Sequence, residues 1–335
     1  MILSLLVSCD SKYEKFSESF IDYFDTVSTI TGYEYSVEVF NKNTDEIERL
    51  LKEYHELYDI YNSYSGINNV HTINEMAGIE PVKVDKRIID LLDYSREMYT
   101  LTRGKTDITY GSVFKIWHQH REYGNNSPND ATLPTDEALR SAAEHVGFDK
   151  ILIDRENSTV FITDSEVSID LGAIAKGYAT EQISRHLENK GVTGYALNIG
   201  GNIRVIGNKP DGSKWTAAVS NPDDTSEQAY LMTIELNKDA FVTSGSYIRF
   251  YSVDGKRYHH IIDPETLYPK NDFVSVSILS SDSGKADCLS TALFCMTYEE
   301  GKQLIESLSD TEAVWVLPNG EVMYSSGFEK SIIKE

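Results

Sequence analysis

Three groups of residues in the second half of the chain have the types and spacing to do chemistry. In the first, between Val167 and Gly207, a small-residue turn at Leu171-Gly172 opens a helix expected from about Ala175 to Asn189. Such an opening presents free backbone N–H groups and the positive end of the helix dipole, a seat for an anion such as phosphate. Lys176 falls in the first turn of that helix, where a cation opposes the dipole. An anionic ligand explains its placement; so, equally, does a solvated surface lysine.

The second group is Thr243-Ser244-Gly245, where a strand runs into a hydroxyl-rich turn, with His259-His260-Ile261-Ile262-Asp263-Pro264 soon after. His260 has the chemistry of a general base and also that of a core histidine. In a strand, His259 points the other way. The third group is Asp287-Cys288-Leu289-Ser290-Thr291, near the start of a helix. Asp287 and Thr291 are four apart, so they stack on one helical face. Two oxygen side chains so placed are a partial site for a hard cation, and Mg²⁺ typically takes few protein ligands, keeping waters and phosphate oxygens. On spacing alone, Asp287 reads more simply as a helix cap.

The elements that must position these groups are legible in outline. Val167 to Asp170 and Tyr195 to Ile199 read as strands flanking the helix from Ala175, the second ending in Gly200-Gly201. Beyond Gly207, short strands recur at hairpin spacing, with Asp254-Gly255 as a type I′ turn signal. In the first half, residues 44 to 61 and 85 to 102 have helical apolar spacing, and Phe24 to Tyr33 alternates like a half-buried strand. Residues 121 to 134 (REYGNNSPNDATLP) are polar and read as a loop, and residues 10 to 22 as a spacer. The pattern is α+β, mostly antiparallel.

At 335 residues, 40% hydrophobic and 25% charged, the chain can build a large core. Its net charge of −22 excludes nucleic acid as a partner, because a phosphate backbone requires clustered Lys and Arg. An anionic nucleotide would need local lysine, helix-terminus or metal charge to overcome the long-range field. Cys288 and Cys295, seven apart on an expected helix, stand about 10 Å apart along its axis and do not form a disulfide. Cys9 ends an apolar run, Ile2 to Val7 followed by Ser8. That run resembles the lipobox of bacterial lipoproteins, although the basic n-region is missing.

Several ordered motifs together resemble the ApbE family of FAD:protein FMN transferases, often lipoproteins of the bacterial cell envelope. They are Asp170-Leu171-Gly172-Ala173-Ile174-Ala175-Lys176-Gly177, Asn198-Ile199-Gly200-Gly201, Thr243-Ser244-Gly245, His260-Ile261-Ile262-Asp263-Pro264 and Asp287-Cys288-Leu289-Ser290-Thr291. Phe24-Asp25-Thr26, Asp107-Ile108-Thr109 and Trp117 extend the resemblance over about residues 24 to 325. It implies an ApbE-like fold of mostly antiparallel sheets flanked by helices, with a flavin cleft between two lobes. The expected division is residues 1–22 as signal, lipobox and spacer, and 23–330 as one catalytic domain with an excursion near 118–134.

The activity implied is Mg²⁺-dependent transfer of FMN from FAD to a Thr or Ser hydroxyl of an acceptor flavoprotein, releasing AMP. By motif position, the metal ligands would be the Ala173 carbonyl, Asp287 and Thr291. Lys176 would face the FAD phosphates, and His260 would help activate the acceptor hydroxyl. Asp107, Asn198, Gly200, Gly201, Thr243, Ser244, Gly245 and His260 would line the flavin cleft, and Cys9 would carry the lipid anchor at the membrane. Three positions depart from the family pattern. Thr266-Leu267 stands where the family has Thr-Gly, Ala173 replaces a frequent glycine, and a familiar proline after Asp107-Ile108-Thr109 is missing near Ser112. Two alternatives share the site: a Mg²⁺-dependent FAD pyrophosphatase giving FMN and AMP, and a non-catalytic FAD-binding lipoprotein.

Overall fold

A computed structural model of the chain describes residues 13–223 and 226–334; Cys9 lies outside the described residues. The chain opens with β1 (Glu14–Tyr23) and β2 (Thr26–Glu34), followed by α1 (Val37–Tyr58), α2 (Val70–Glu75), β3 (Val82–Lys83) and α3 (Lys86–Leu101). Next come α4 (Gly111–Asn126), α5 (Asp136–Ala143), β4 (Ile151–Asp154), β5 (Thr159–Ile162) and α6 (Ala175–Asn189). Strands β6 (Tyr195–Ile199), β7 (Asn202–Ile206), β8 (Trp215–Ser220), β9 (Tyr230–Leu236) and β10 (Ala240–Gly245) follow. The chain closes with β11 (Phe250–Val253), β12 (Lys256–His259), β13 (Ser275–Ser280), α7 (Ser283–Phe294), α8 (Tyr298–Glu306), β14 (Thr311–Val316) and β15 (Val322–Tyr324).

Eight strands form one sheet in the order β1-β2-β6-β7-β10-β13-β14-β15, and every neighbouring pair is antiparallel. Alternation along β10 shows how the sheet is buried. Val242 packs with Ile278 and with Leu289 and Leu293 of α7. Phe241 faces the other way, into a cluster with Val205, Leu279 and Trp215 of the β8–β9 hairpin. Over the first strands, Ile30 and Leu197 bury the apolar faces of α1, α3 and α6 through Leu51, Ile88 and Ile183. Cys288 and Cys295 are buried free thiols.

Four expectations need correction. Residues read as spacer form β1, which pairs with β2 from Glu14 to Tyr23; its polar residues lie on an exposed edge while Phe16 and Phe20 pack inward. The segment Val167 to Asp170 is no strand, having one isolated bridge, from Ser168 to Tyr110. The polar run from Arg121 continues α4 as far as Asn126, because Val113, Trp117 and Gly124 share its buried face. Gly124 is required there, since a Cβ would stand 2.6 Å from the Tyr251 ring. Finally, α8 was not expected, although Thr297 and Glu300 cap it reciprocally.

The departure at Leu267 has a structural outcome. Its φ is +64°, the left-handed region, so the turn keeps a glycine-like backbone with a leucine in place. The buried side chain packs beside Trp117, whose indole N–H donates to the Leu267 carbonyl at 2.9 Å.

Candidate active site

The site is built where α6 crosses α7. A Cβ on Gly177 would stand 2.4 Å from Asp287 Cβ and 2.4 Å from the Ser283 carbonyl oxygen, so glycine sets the approach of the two helices. Its N–H donates to Asp287 Oδ2 at 2.8 Å. Asp287 is not a cap. Asp282 caps α7, accepting the Lys285 N–H, and Asp287 lies in the second turn. The carboxylate is buried, which raises its pKa, while Lys176 and the Gly177 N–H act in the opposite direction.

Ser290 donates to the Asp287 carbonyl at 2.8 Å, and its Oγ lies 2.7 Å from Ser244 Oγ. With the Ser290 proton committed, Ser244 donates to Ser290. Ser244 Oγ is also 3.3 Å from Thr291 Oγ1. The end of β10 thus meets the Asp287–Thr291 face of α7. Thr243, one residue earlier, turns to the opposite face and pairs with Ser277 at 2.7 Å.

These residues fit the implied Mg²⁺. Because Gly177 donates to Asp287, the first helical bond of α6 runs from the Tyr178 N–H to the Ile174 carbonyl. Among the described residues no hydrogen bond is made to the Ala173 carbonyl, and Asp287 Oδ1 likewise accepts none. A carboxylate, a carbonyl and a hydroxyl are hard oxygen donors. No cluster of three or more His, Cys, Asp or Glu suited to a metal occurs among the described residues; a set with one carboxylate is of a different kind.

Lys176, whose Nζ donates to the Gly172 carbonyl at 3.4 Å, lines a cavity of about 120 Å³ with Asp25, Asp59, Asp170 and Arg249. A larger cavity of about 850 Å³ lies between α4, α5 and the segment 165–170. The two share Ile60, Tyr61 and Asp170. Burial raises the Asp170 pKa, against the N–H of Gly172 and the charges of His118, Lys176 and Arg121.

His260 receives its geometry from Arg249. Its N–H donates to the Arg249 carbonyl at 3.0 Å, and Nδ1 lies 3.3 Å from the same oxygen. A carbonyl only accepts, so Nδ1 carries the ring proton and Nε2 keeps its lone pair. Burial, then Arg249 and Arg121, push its pKa down to about 3, leaving it neutral. His259 is structural: Nε2 donates to the Lys270 carbonyl at 2.8 Å and Nδ1 accepts the Ile261 N–H at 3.2 Å. Asp263 is paired with Lys105 at 3.1 Å, tying this segment to the loop before α4.

Asp107 accepts from the Thr109 N–H at 2.8 Å and its hydroxyl at 2.7 Å, and burial raises its pKa. Thr106 joins the same loop to α7 through the Cys288 carbonyl at 3.1 Å. Asn198 Oδ1 accepts the Gly201 N–H at 3.0 Å; Gly200 and Gly201 have φ of +57° and +91°. A Cβ on Gly200 would be 2.5 Å from Thr26 Oγ1, so this turn packs on the β1–β2 turn. A Cβ on Gly245 would be 2.7 Å from the Tyr247 ring.

The structure therefore brings Ser244, Asp287 and Thr291 together, with Lys176 one residue from the Gly177 that bonds Asp287. None of the eight residues expected to line the flavin cleft lines either of these two cavities; Lys176, expected to face the phosphates, lines the smaller one. Sequence reading gave no role to Asp170, Tyr61, Arg121, Arg249 or Ser290. Asp170 and Ser290 sit inside motifs that were legible; Arg121 lies in a stretch read as loop.

A profile described as the ApbE family matches residues 24–315. An FAD:protein FMN transferase of Klebsiella pneumoniae is 30% identical over 279 residues, 83% of each chain. One of Haemophilus influenzae is 30% identical over 300 residues, 87% of this chain and 83% of its own. Among solved structures, the ApbE protein of Thermotoga maritima superposes with a TM-score of 0.81 at 28% identity, covering 96% of this chain and 100% of its own. The flavin transferase ApbE of Vibrio cholerae gives 0.79 at 27%, covering 95% and 99%. With a matched profile over most of its length and the same fold in the solved relatives, the chain belongs to the ApbE family.

Proposed function

We propose that this chain transfers FMN from FAD to a Thr or Ser hydroxyl of an acceptor protein, with Mg²⁺, at the cell envelope. The observation that carries the reading is the meeting of Asp287, Thr291 and Ser244 at the α6–α7 crossing, where Asp287 is bonded by Gly177, the neighbour of Lys176, in a chain whose relatives are named FAD:protein FMN transferases. The acceptor oxygen forms a bond to the FMN phosphorus while the bond from that phosphorus to the bridging pyrophosphate oxygen breaks. AMP departs with that oxygen and its electron pair. Displacement of this kind needs positioning and charge neutralisation more than covalent help.

When bound to Asp287, Thr291 and the Ala173 carbonyl, Mg²⁺ would supply the charge that offsets the pyrophosphate. Lys176 adds a fixed cation, which a chain of net charge −22 needs locally. His260 offers Nε2 to the acceptor hydroxyl proton. Burial and then the charges of Arg249 and Arg121 hold its pKa low, and an anion held beside it would raise it. The proton then passes to the departing AMP phosphate. The apolar run ending at Cys9 supports a lipid tether to the membrane; no helix among the described residues is long and apolar enough to cross one.

The test is incubation with FAD, Mg²⁺ and a Thr-containing acceptor, followed by mass spectrometry for covalent FMN. Free FMN and AMP without an adduct would assign hydrolysis instead, and turnover surviving excess EDTA would remove the metal.

A further inference from the structure

Ser290 is fully buried in α7, and Ser244 and Thr291 are half-buried beside it where β10 ends. Each of these three hydroxyls has one proton to give, whereas the Asp287 carbonyl can only accept. Within α7 that carbonyl accepts the Thr291 N–H through the regular i→i−4 bond. Ser290 Oγ fills its remaining lone pair at 2.8 Å. Thr291 Oγ1 stands 3.5 Å from the same oxygen, too far to compete with Ser290.

The direction of each remaining proton follows from that fixed end. Ser290 has committed its proton to the carbonyl, so Ser244 donates across the 2.7 Å contact between their oxygens. Ser244 then has none left for the 3.3 Å contact with Thr291, and there Thr291 is the donor. The chain runs one way, from Thr291 through Ser244 and Ser290 to the Asp287 carbonyl. Among the described residues Thr291 Oγ1 accepts no hydrogen bond. Its proton is turned toward β10 and its lone pairs are left open.

We propose that Ser244 and Ser290 are positioning residues that turn the Thr291 proton away from the cation site and so make its hydroxyl a ligand. A hydroxyl binds a hard cation through its oxygen lone pairs, and a proton aimed at the cation would oppose it. Without Ser290, Ser244 is free to reverse and donate to Thr291, taking a lone pair that the cation needs. Without Ser244, the Thr291 proton loses its acceptor on β10. That a cation is held there rests on the preceding proposal; the direction of the hydrogen-bond chain does not.

The experiment titrates the whole chain with Mn²⁺, which shares the oxygen preference of Mg²⁺, and follows free Mn²⁺ by electron paramagnetic resonance. Ser244→Ala and Ser290→Ala, each confirmed folded by circular dichroism, are expected to weaken Mn²⁺ roughly 10-fold, the scale for losing a group that orients a ligand. Ser244→Thr keeps the hydroxyl on a strand, where a β-branched residue fits, and should stay within about 2-fold of wild type. In a Thr291→Val background there is no hydroxyl to orient, so Ser244→Ala should change the affinity by less than about 2-fold. A packing effect would carry over in full. Ser290→Ala added to Ser244→Ala should also cost less than about 2-fold, because the reversal needs the Ser244 hydroxyl. If Ser290→Ala does not fold, the Ser244 and Thr291 variants decide alone. Wild-type Mn²⁺ affinity in Ser244→Ala, or its full loss repeated in the Thr291→Val background, overturns the relay and leaves the metal reading standing. No Mn²⁺ binding by the wild type overturns both. Coupled losses in a protein that never transfers FMN uphold the relay and sink the transferase reading alone.

Discussion

Glu181 of α6 accepts the backbone N–H of Ser283, the first residue of α7, at 2.9 Å. Four residues earlier on α6, Gly177 donates to Asp287, four residues later on α7. The two helices are therefore pinned twice along one antiparallel seam, and the second pin is the candidate metal ligand. Glu181 is almost fully buried and also takes Arg204 Nε at 3.0 Å and Arg185 Nε at 2.9 Å.

Glu181→Ala should destabilise the fold by about 3–5 kcal/mol, because it leaves the buried Arg204 without this charge partner and the Ser283 N–H without an acceptor. Urea denaturation reads the effect. A loss below about 1 kcal/mol would show that Glu188, 3.3 Å from Arg204, suffices alone.

Asp287→Asn separates chemistry from packing. The amide oxygen can still receive the Gly177 N–H, and burial already disfavours a charge at this position. Stability at neutral pH should therefore hold or rise, while Mg²⁺-dependent FMN transfer falls by about 10²–10³-fold, the scale for removing one electrostatic partner. Transfer rates measured against Mg²⁺ concentration decide it; an unchanged rate shows that the ligand set is wrong.

Much of this seam was legible in the sequence. The helix expected from about Ala175 to Asn189 after the Leu171-Gly172 turn is α6, and Asp254-Gly255 forms the expected turn, with φ of +50° and +78°. The role of Asp287 was not decided by local pattern, because it hinged on where α7 begins. Asp282 caps the helix, and that displaces Asp287 into its second turn. Arg249 escaped for another reason: it holds His260 through its backbone carbonyl, and a backbone contact leaves no signal in residue type. β1 escaped notice because an edge strand exposing most of its residues lacks a clean alternation.

The low pKa of His260 makes stability depend on pH. An unfolded histidine takes up its proton near 6.5, whereas burial, Arg249 and Arg121 hold His260 near 3 in the fold. The unfolded state thus binds more protons across that window. The contribution is complete above about 6.5 and is lost as pH falls toward 3. His260→Gln should flatten the loss of stability between about pH 6.5 and 4.5, with a residual slope from His259, whose pKa burial also lowers. Carboxylates held low, such as Glu46 at about 2 beside Lys190 and His186, act below that range. Denaturant midpoints across the pH series provide the measurement, and parallel curves for the two proteins would refute it.

Leu267 offers a test in which two backbone effects oppose each other. At ordinary positions glycine is less stable than alanine by roughly 0.5–1 kcal/mol, through the entropy of the unfolded chain. At φ of +64° a Cβ costs about 1–2 kcal/mol in the folded state. Both Leu267→Ala and Leu267→Gly remove the side chain packed beside Trp117, so both should destabilise by about 2–5 kcal/mol. Glycine alone releases the left-handed strain. Leu267→Gly should therefore be the more stable of the two by about 0.5–1 kcal/mol, the net of those terms. Trp117 fluorescence during denaturation reports on the same cluster, since its indole N–H bonds the Leu267 carbonyl. Finding alanine the more stable would mean that the turn relaxes out of the left-handed region once the leucine side chain is gone.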